Sequence, residues 1–532
     1  MGKMSRKLTE KKRKWIERTV DNDRSYKAIV YNRVFICIFC VLLQLAFFVA
    51  LLLISDYGVL WQIAVGVFSV LCVLYLEGRE NRYPTRTLWI ILLLVAPFVG
   101  LPLYLLYGDG KSTALMKRRF DVAMKRLPDL PEGEAQAGRE GGVSRILEKL
   151  GYPTYSDGGV SYYATGEEFF EAVKASICSA KKFIFLEYFI LSGGKLWGEI
   201  LKLLLRKAEE GVKIKIIYDD FGSIACLPPR YESYLESLHE NVECLSFNKV
   251  YPFFTARYNH RDHRKICVVD GRVGFTGGAN IADEYVNAKK RFGYWKDTGV
   301  KITGRAVQSL TKTFLETWLA CKDAKLDVTP YFDSFPDDEN LQADKKETSD
   351  EGVDTLVAYA DSPLDNITVS ESVYMEMIHC ATDSLYITTP YLVLDEHLRL
   401  ALATAAARGV DVRIITPGIP DKKAVYRLTR ANYYGLLRAG VRIYEYTPGF
   451  LHAKTTYSDG AVAIGTANYD YRSLYLHFEN MVYFRGGKAA DEVRNDFEML
   501  FTVSKERTLA NFKRGFFGRI FDAVLRIFEP LT

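Results

Sequence analysis

A chain of 532 residues is long enough for two or three domains, and its 48% hydrophobic and 13% aromatic content supplies cores for them. Nine cysteines, an odd number scattered without C-x-x-C spacing, exclude a disulfide framework and a zinc site, so reduced thiols in a cytosolic setting are expected. The net charge of +5 conceals segregation: residues 1–33 hold eleven Lys or Arg against four acids, whereas 333–354 are rich in Asp and Glu, and a basic end beside an apolar run fits an anionic membrane surface rather than a nucleic acid.

Three apolar stretches follow the basic N-terminus, at 34–54, 59–76 and 88–107. Each has, or nearly has, the length that crosses a hydrocarbon core of roughly 30 Å. No small-residue cleavage site follows the first, which therefore reads as a transmembrane helix and not as a removed signal. The Lys/Arg-rich start keeps the N-terminus cytoplasmic, Ser55-Asp56-Tyr57-Gly58 fits the far side, and Arg79, Arg82 and Arg86 bring the chain back. A third crossing would carry Lys111, Lys117, Arg118 and Arg119 outside, against the charge rule, and Pro97 and Pro102 interrupt that stretch. Two spans and a broken, re-entrant or interfacial third segment are expected, with all that follows on the cytoplasmic side.

After a connector over 108–150, the chain repeats an architecture. A buried strand at 182–190, an amphipathic helix at 196–209 and a strand at 211–218 are answered by 384–394, a helix at 396–407 and 409–416. Strand, helix, strand in each half implies right-handed crossovers and a mostly parallel sheet, hence α/β lobes over 151–332 and 355–504 related by a pseudo-twofold. The acidic stretch 333–354 is the linker between them. The tail, 505–532, spaces Phe517, Ile520, Phe521, Val524, Leu525 and Phe528 along one helical face among basic residues, a pattern that fits an interfacial helix or packing onto the protein's own core.

Each half also carries one copy of H-x-K-x-x-x-x-D: His263, Lys265 and Asp270 in the first, His452, Lys454 and Asp459 in the second. With only seven histidines in the chain, this duplication is not an accident of composition. In an extended strand residues two apart share a face, so each copy presents an imidazole beside an ammonium. Two such strands face to face place two imidazoles and two lysines around one phosphate, equipment for displacement through a phosphohistidine in which one His attacks and the other protonates the leaving oxygen. Downstream, Gly277-Gly278-Ala279-Asn280 and Gly465-Thr466-Ala467-Asn468 correspond, and Asn280 and Asn468 are expected to donate amide hydrogen bonds to phosphate oxygens. Asp297 lies seven residues before Gly304 and Glu479 seven before Gly486, corresponding carboxylates in the two repeats. No cluster has metal-ligand spacing, and two lysines supply the positive charge, so no metal or cofactor is expected.

The duplicated motif resembles the defining element of the phospholipase D superfamily and, within it, the bacterial cardiolipin synthases. Phe185-Leu186-Glu187-Tyr188, Tyr218-Asp219-Asp220, Trp295-Lys296-Asp297-Thr298, Thr388-Thr389-Pro390-Tyr391 and Phe450-Leu451-His452-Ala453-Lys454 carry the likeness across nearly the whole chain. The resemblance implies a phosphatidyltransferase of a bacterial cell membrane that uses phosphatidylglycerol as both donor and acceptor; a hydrolytic membrane phospholipase D, or a phosphatidyltransferase with another donor or acceptor lipid, would share the same residues. Oligomeric state is left open, with a homodimer as one possibility. It further implies that Asp297 and Glu479 each hold a catalytic His ring through a hydrogen bond. Asp270 and Asp459 are expected to fix strand ends and lysines more than to touch substrate. His263 is assigned as nucleophile and His452 as acid and base, with the reverse assignment open. Where the superfamily's broad pattern has Gly-Ser this chain has Gly277-Gly278 and Gly465-Thr466, which puts any serine contact with phosphate in doubt. His260 and His477 lie near the motifs, within reach of a supporting contact.

Overall fold

In the computed structural model the described residues are 42, 46, 59–78, 86–95, 104, 111–133, 142–250, 259–332, 352–365, 367–512, 525, 526 and 529. The basic N-terminus, the first apolar stretch apart from Leu42 and Ala46, nearly all of the acidic linker and most of the C-terminal amphipathic segment lie outside them.

The first lobe is a seven-stranded sheet of β1 (Val160–Tyr163), β2 (Phe183–Tyr188), β3 (Lys213–Asp219), β4 (Val242–Phe247), β6 (Lys265–Val269), β7 (Val273–Gly277) and β9 (Gly299–Thr303), in the order β1-β9-β7-β6-β2-β3-β4. The short strands β5 (Arg261–Asp262) and β8 (Tyr294–Lys296) leave this sheet for the other lobe. The second lobe orders β10 (Thr355–Asp361), β17 (His477–Arg485), β16 (Ala461–Gly465), β15 (Thr455–Ser458), β11 (Ser384–Thr388), β12 (Asp411–Pro417), β13 (Arg442–Tyr446) and β18 (Ser504–Arg507) in the same sense, and β14 (Gly449–Leu451) pairs with β8.

The expected strand–helix–strand units are present, but the sheets are mixed rather than mostly parallel. Parallel pairing is confined to β2-β3-β4 and β11-β12-β13. There the crossover helices bury one face: Leu196, Trp197, Ile200, Leu201 and Leu204 of the helix Lys195–Glu209, and Leu398, Ala401, Leu402 and Ala405 of Glu396–Ala407. The other in-sheet pairs run antiparallel because each motif strand ends in a tight hairpin. Asp270 (φ 54°) with Gly271 (φ 70°), and Asp459 (φ 47°) with Gly460 (φ 84°), take the left-handed conformation at both central turn positions; the second hairpin has a two-residue loop, and the first holds one residue more, Arg272, before Val273 pairs with Val269.

The inner faces of the two sheets share one core, in which Ile266, Val268, Val300 and Ile302 meet Val462, Ile464, Val482 and Phe484, together with Phe314 and Trp318 of the helix Val307–Cys321. The outer faces are covered separately. Much of the connector 108–150 belongs to this body and is not free. Phe120 of the helix Lys111–Met124 stacks on Phe478 at 5.0 Å, and Val143 and Leu147 of Gly142–Lys149 enter the outer core of the second lobe. Strand β18 likewise carries the second lobe past residue 504, to Arg507.

In the N-terminal region no helix among the described residues is long and apolar enough to cross a membrane. The helix Val59–Glu77 has 19 residues and leaves Ile63, Val67, Phe68, Val70, Leu71 and Leu74 exposed. A second helix, Arg86–Val95, stops two residues before Pro97. Trp89 and Tyr104 meet at 5.6 Å between ring centroids.

Candidate active site

The site sits where the two lobes exchange strands. Strand β5 pairs in parallel with β17 of the second lobe, and the His263 amide donates to the Phe478 carbonyl at 2.9 Å. In the pseudo-equivalent place β14 pairs with β8 of the first lobe, and the His452 amide donates to the Lys296 carbonyl at 2.8 Å. Each histidine is thereby stitched to the strand of the opposite lobe that carries the next carboxylate.

The consequence is a crossed arrangement of side chains. Nδ1 of His263 lies 2.9 Å from both carboxylate oxygens of Glu479, and Nδ1 of His452 lies 2.8 Å from Oδ2 of Asp297. The carboxylates are fully buried and the imidazoles nearly so. An Nδ1–H bonded to a carboxylate leaves Nε2 with its lone pair, the tautomer that can attack phosphorus or take a proton. The residues after the carboxylates complete the stitching: Oδ1 of Asn480 accepts from the Lys265 amide at 3.1 Å, and the hydroxyls of Thr298 and Thr455 meet at 3.1 Å.

Both lysines fold back on their own motif. Nζ of Lys265 donates to the His263 carbonyl at 2.6 Å; Nζ of Lys454 donates to the His452 carbonyl and stands 2.9 Å from its Nδ1. That nitrogen already bonds Asp297, so the ammonium there acts by its charge. Burial lowers Lys265 to about 7 and Lys454 to about 8. Burial, then the lysines, lowers both imidazoles: His452 falls to about 4, with Asp297 working in the opposite direction, and His263 falls well below its ordinary value. Burial pushes the Asp297 carboxyl up, but His452 and Lys454 outweigh it and leave it below the ordinary range. Both histidines therefore rest neutral near pH 7.

The walls differ between the halves. His452 is ringed by Tyr285, Trp295 and Phe450 at 5.4, 5.6 and 5.8 Å between centroids. His263 has Phe189 at 5.1 Å and a second imidazole, His477, at 5.5 Å. Ligand atoms of His263, His477 and Glu479 lie within 4.8 Å of one another, close enough to grip a cation. The two lysine ammoniums that depress His263 work against one there.

The remaining residues singled out from sequence fall outside the reacting centre or are already engaged. Asp270 accepts from the amides of Lys181, Lys182 and Phe183, and Asp459 from those of Thr382, Asp383 and Ser384. They fix strand ends, but hold neither motif lysine: a strand of four or five residues, at about 3.3 Å each, separates them from the histidines. Asn280 donates to the Tyr285 hydroxyl and accepts from the Ile190 amide, while Asn468 donates to Asp470, so one amide N–H of each is taken within the protein.

The Gly-Gly and Gly-Thr variants have a structural reason. A Cβ on Gly278 would lie 2.1 Å from Oδ1 of Asp297, so that half admits only glycine. In the other half the Thr466 hydroxyl is exchanged with the backbone of Asn480, donating to its carbonyl at 3.1 Å and accepting from its amide at 2.9 Å. Neither position offers a hydroxyl to phosphate.

Several members of the site were not foreseen. Arg261, fully buried, pairs with Asp219 at 3.0 Å and anchors the turn into His263, a role hidden until β3 and β5 are brought together. Arg264 points away from its neighbours His263 and Lys265, into a buried set with Glu187, Glu316 and Thr317. Asn480 and Thr298 could have been found, since each directly follows its repeat's carboxylate.

Residues 173–318 and 374–501, slightly more than half of the chain, match the family model described as cardiolipin synthase, PLD-like domain. The chain belongs to this family. A cardiolipin synthase of Halalkalibacterium halodurans is 34% identical over 88% of the chain and 94% of its own length. One from Alkalihalophilus pseudofirmus is 32% identical over 94% and 99%, and an uncharacterized protein of Streptococcus mutans is 38% identical over 86% and 99%. The fold is shared with phosphatidylserine synthase of Haemophilus influenzae, with a TM-score of 0.53 and 17% identity, covering 73% of this chain and 97% of that one. The family match spans both motif copies, so the crossed histidines and carboxylates lie within its two matched segments.

Proposed function

We propose that the chain is a membrane-attached cardiolipin synthase that moves a phosphatidyl group from one phosphatidylglycerol to another through a phosphohistidine. The observation that carries the mechanism is the crossed support of the two histidines: both imidazoles are fixed in the tautomer with a free Nε2, beside two lysines and within a buried interface.

In the first half-reaction, Nε2 of His263 attacks phosphorus and an N–P bond forms. The P–O bond to the glycerol head group breaks, and His452, which takes up a solvent proton at Nε2 when the anionic donor binds, gives that proton to the departing oxygen. In the second, His452 takes the proton from a hydroxyl of another phosphatidylglycerol. That oxygen bonds to phosphorus, and the N–P electron pair returns to His263. The assignment of roles follows the electrostatics. Burial and the lysines Lys265, Lys454 and Lys422 lower His263, whereas Asp297 works against burial and the lysines at His452, so His452 is the better proton carrier once the anionic phosphodiester offsets the lysines. Glu479 then supports the charge on His263, and the remaining amide N–H groups of Asn280 and Asn468 are the donors nearest in sequence to hold phosphate oxygens.

Membrane attachment is supported by the exposed apolar side chains of Val59–Glu77 and the basic N-terminus. The contact between Trp89 and Tyr104 supports a re-entrant third segment, with the lobes on the cytoplasmic side. Purified full-length protein given phosphatidylglycerol alone, with a chelator, should yield cardiolipin and glycerol and an alkali-stable, acid-labile phosphorus label on the protein. His263→Ala should lose label and product together. Phosphatidic acid as the main product would replace the transferase by a hydrolase.

A further inference from the structure

His477 stands in the site without a task in the mechanism above. Its backbone is fixed in β17 by pairing with Arg261, and its ring lies 5.5 Å from that of His263. Both ring nitrogens are buried and among the described residues neither has a partner within hydrogen-bond length; Nδ1 lies 3.7 Å from the nearest Glu479 oxygen, near enough for an ion pair and too far for a hydrogen bond. A neutral imidazole carries one donor and one acceptor, and leaving both unsatisfied out of water costs free energy that the fold retains. An unpaired imidazole nitrogen beside the atom that carries phosphorus is matched by a hydroxyl that arrives with the second substrate, which can donate to it or accept from it.

The pseudo-symmetric position in the other half sharpens this. Two residues before Glu479 stands His477; two residues before Asp297 stands Trp295, whose ring closes over His452 at 5.6 Å. Indole offers a donor alone and a broad apolar face, whereas imidazole can both give and accept. The duplicated framework thus presents a two-way hydrogen-bonding group on the side of His263 and a hydrophobic wall on the side of His452.

We propose that His477 selects the acceptor: it binds the hydroxyl adjacent to the attacking one, so that the site takes a vicinal diol, such as a glycerol head group, in preference to water or a simple alcohol. This rests on the transferase reading. During the second half-reaction the terminal hydroxyl loses its proton to His452 and bonds to phosphorus, while the neighbouring hydroxyl stays intact and hydrogen-bonds to the one His477 nitrogen that faces it. Water and monohydric alcohols lack that second group and leave His477 unpaired. Discrimination arises from this difference, since a site built to hydrogen-bond a hydroxyl rejects analogues without it.

The test uses the full-length enzyme with labelled phosphatidylglycerol and two competing soluble acceptors, 1,2-propanediol and 1-propanol. Wild type should prefer the diol by about 10-fold or more. His477→Phe, which keeps the ring volume, should bring that ratio close to 1 and raise the share of phosphatidic acid among the products. His477→Asn, which can still donate and accept, should keep part of the preference. Equal use of both alcohols by the wild type would overturn the proposal without needing any variant. So would an unchanged ratio in an active His477→Phe enzyme, or a parallel loss of donor consumption and transfer in both variants. Failure of the wild type to consume donor at all would instead remove the transferase reading on which the proposal depends.

Discussion

The half-site around His452 and the half-site around His263 share a hydrogen-bond skeleton and differ in their walls. Both have Nδ1 on a buried carboxylate from the opposite lobe, a backbone amide on the opposite strand, and a lysine turned back on the motif carbonyl. Three aromatic rings surround His452, whereas His263 faces one phenyl ring and a second imidazole. The common skeleton holds both histidines in the same tautomer, which the proposed mechanism requires of the attacking group and of the proton relay alike. The walls are free to diverge because they decide what else may approach.

The largest test of the comparison exchanges the carboxylates for amides. Asp297→Asn and Glu479→Gln should each lower kcat by about 10²–10⁴-fold with little change in fold, because an amide can hold the wrong tautomer. Single-turnover measurements separate the halves. Glu479→Gln should depress formation of the phosphohistidine, and Asp297→Asn should depress glycerol release with a poor leaving group more than with an activated one. Equal behaviour with both leaving groups would erase the assigned division of labour.

Acidity gives the next effect. A lysine with a lowered pKa is charged below that value and neutral above it, so Lys265 and Lys454 lose their charge as pH rises through about 7 and about 8. Donor KM should rise by roughly 10-fold between about pH 6 and pH 9, while exposed lysines titrate near 10.4 and contribute nothing in that window. An alkaline limb that survives in both Lys265→Arg and Lys454→Arg would assign it elsewhere.

A smaller effect distinguishes the glycine of one half from the threonine of the other. Gly278→Ser forces a Cβ against Asp297 and should cost about 1–3 kcal/mol of stability and about 10-fold in activity. Thr466→Ser keeps the hydroxyl bonded to Asn480 and should stay within about 1 kcal/mol of wild type by thermal unfolding. Least of all should activity respond at Asp270. Removing its carboxylate in Asp270→Ala deprives three amides of an acceptor and should lower stability by about 1–3 kcal/mol, with kcat within about 2-fold of wild type.

The sequence by itself determined the duplication, the strand–helix–strand units and the candidate reacting groups, because these rest on local period and spacing. The crossover helix was expected at 396–407 and lies at Glu396–Ala407, and each Asp-Gly that ends a motif strand was readable as a turn. The same turns were a signal for antiparallel hairpins, and the expectation of mostly parallel sheets gave them too little weight. Spacing also matched Asp297 with Glu479 as corresponding carboxylates, but not which histidine each would hold. That was decided by tertiary structure: β5 and β8 leave their own lobe, and the parallel pairs β5-β17 and β8-β14 carry each imidazole to a carboxylate 155 or 216 residues away. The clash that reserves position 278 for glycine, the burial that depresses the lysines and the open nitrogens of His477 have the same origin. Each depends on distances between segments remote in sequence, which local periodicity does not encode.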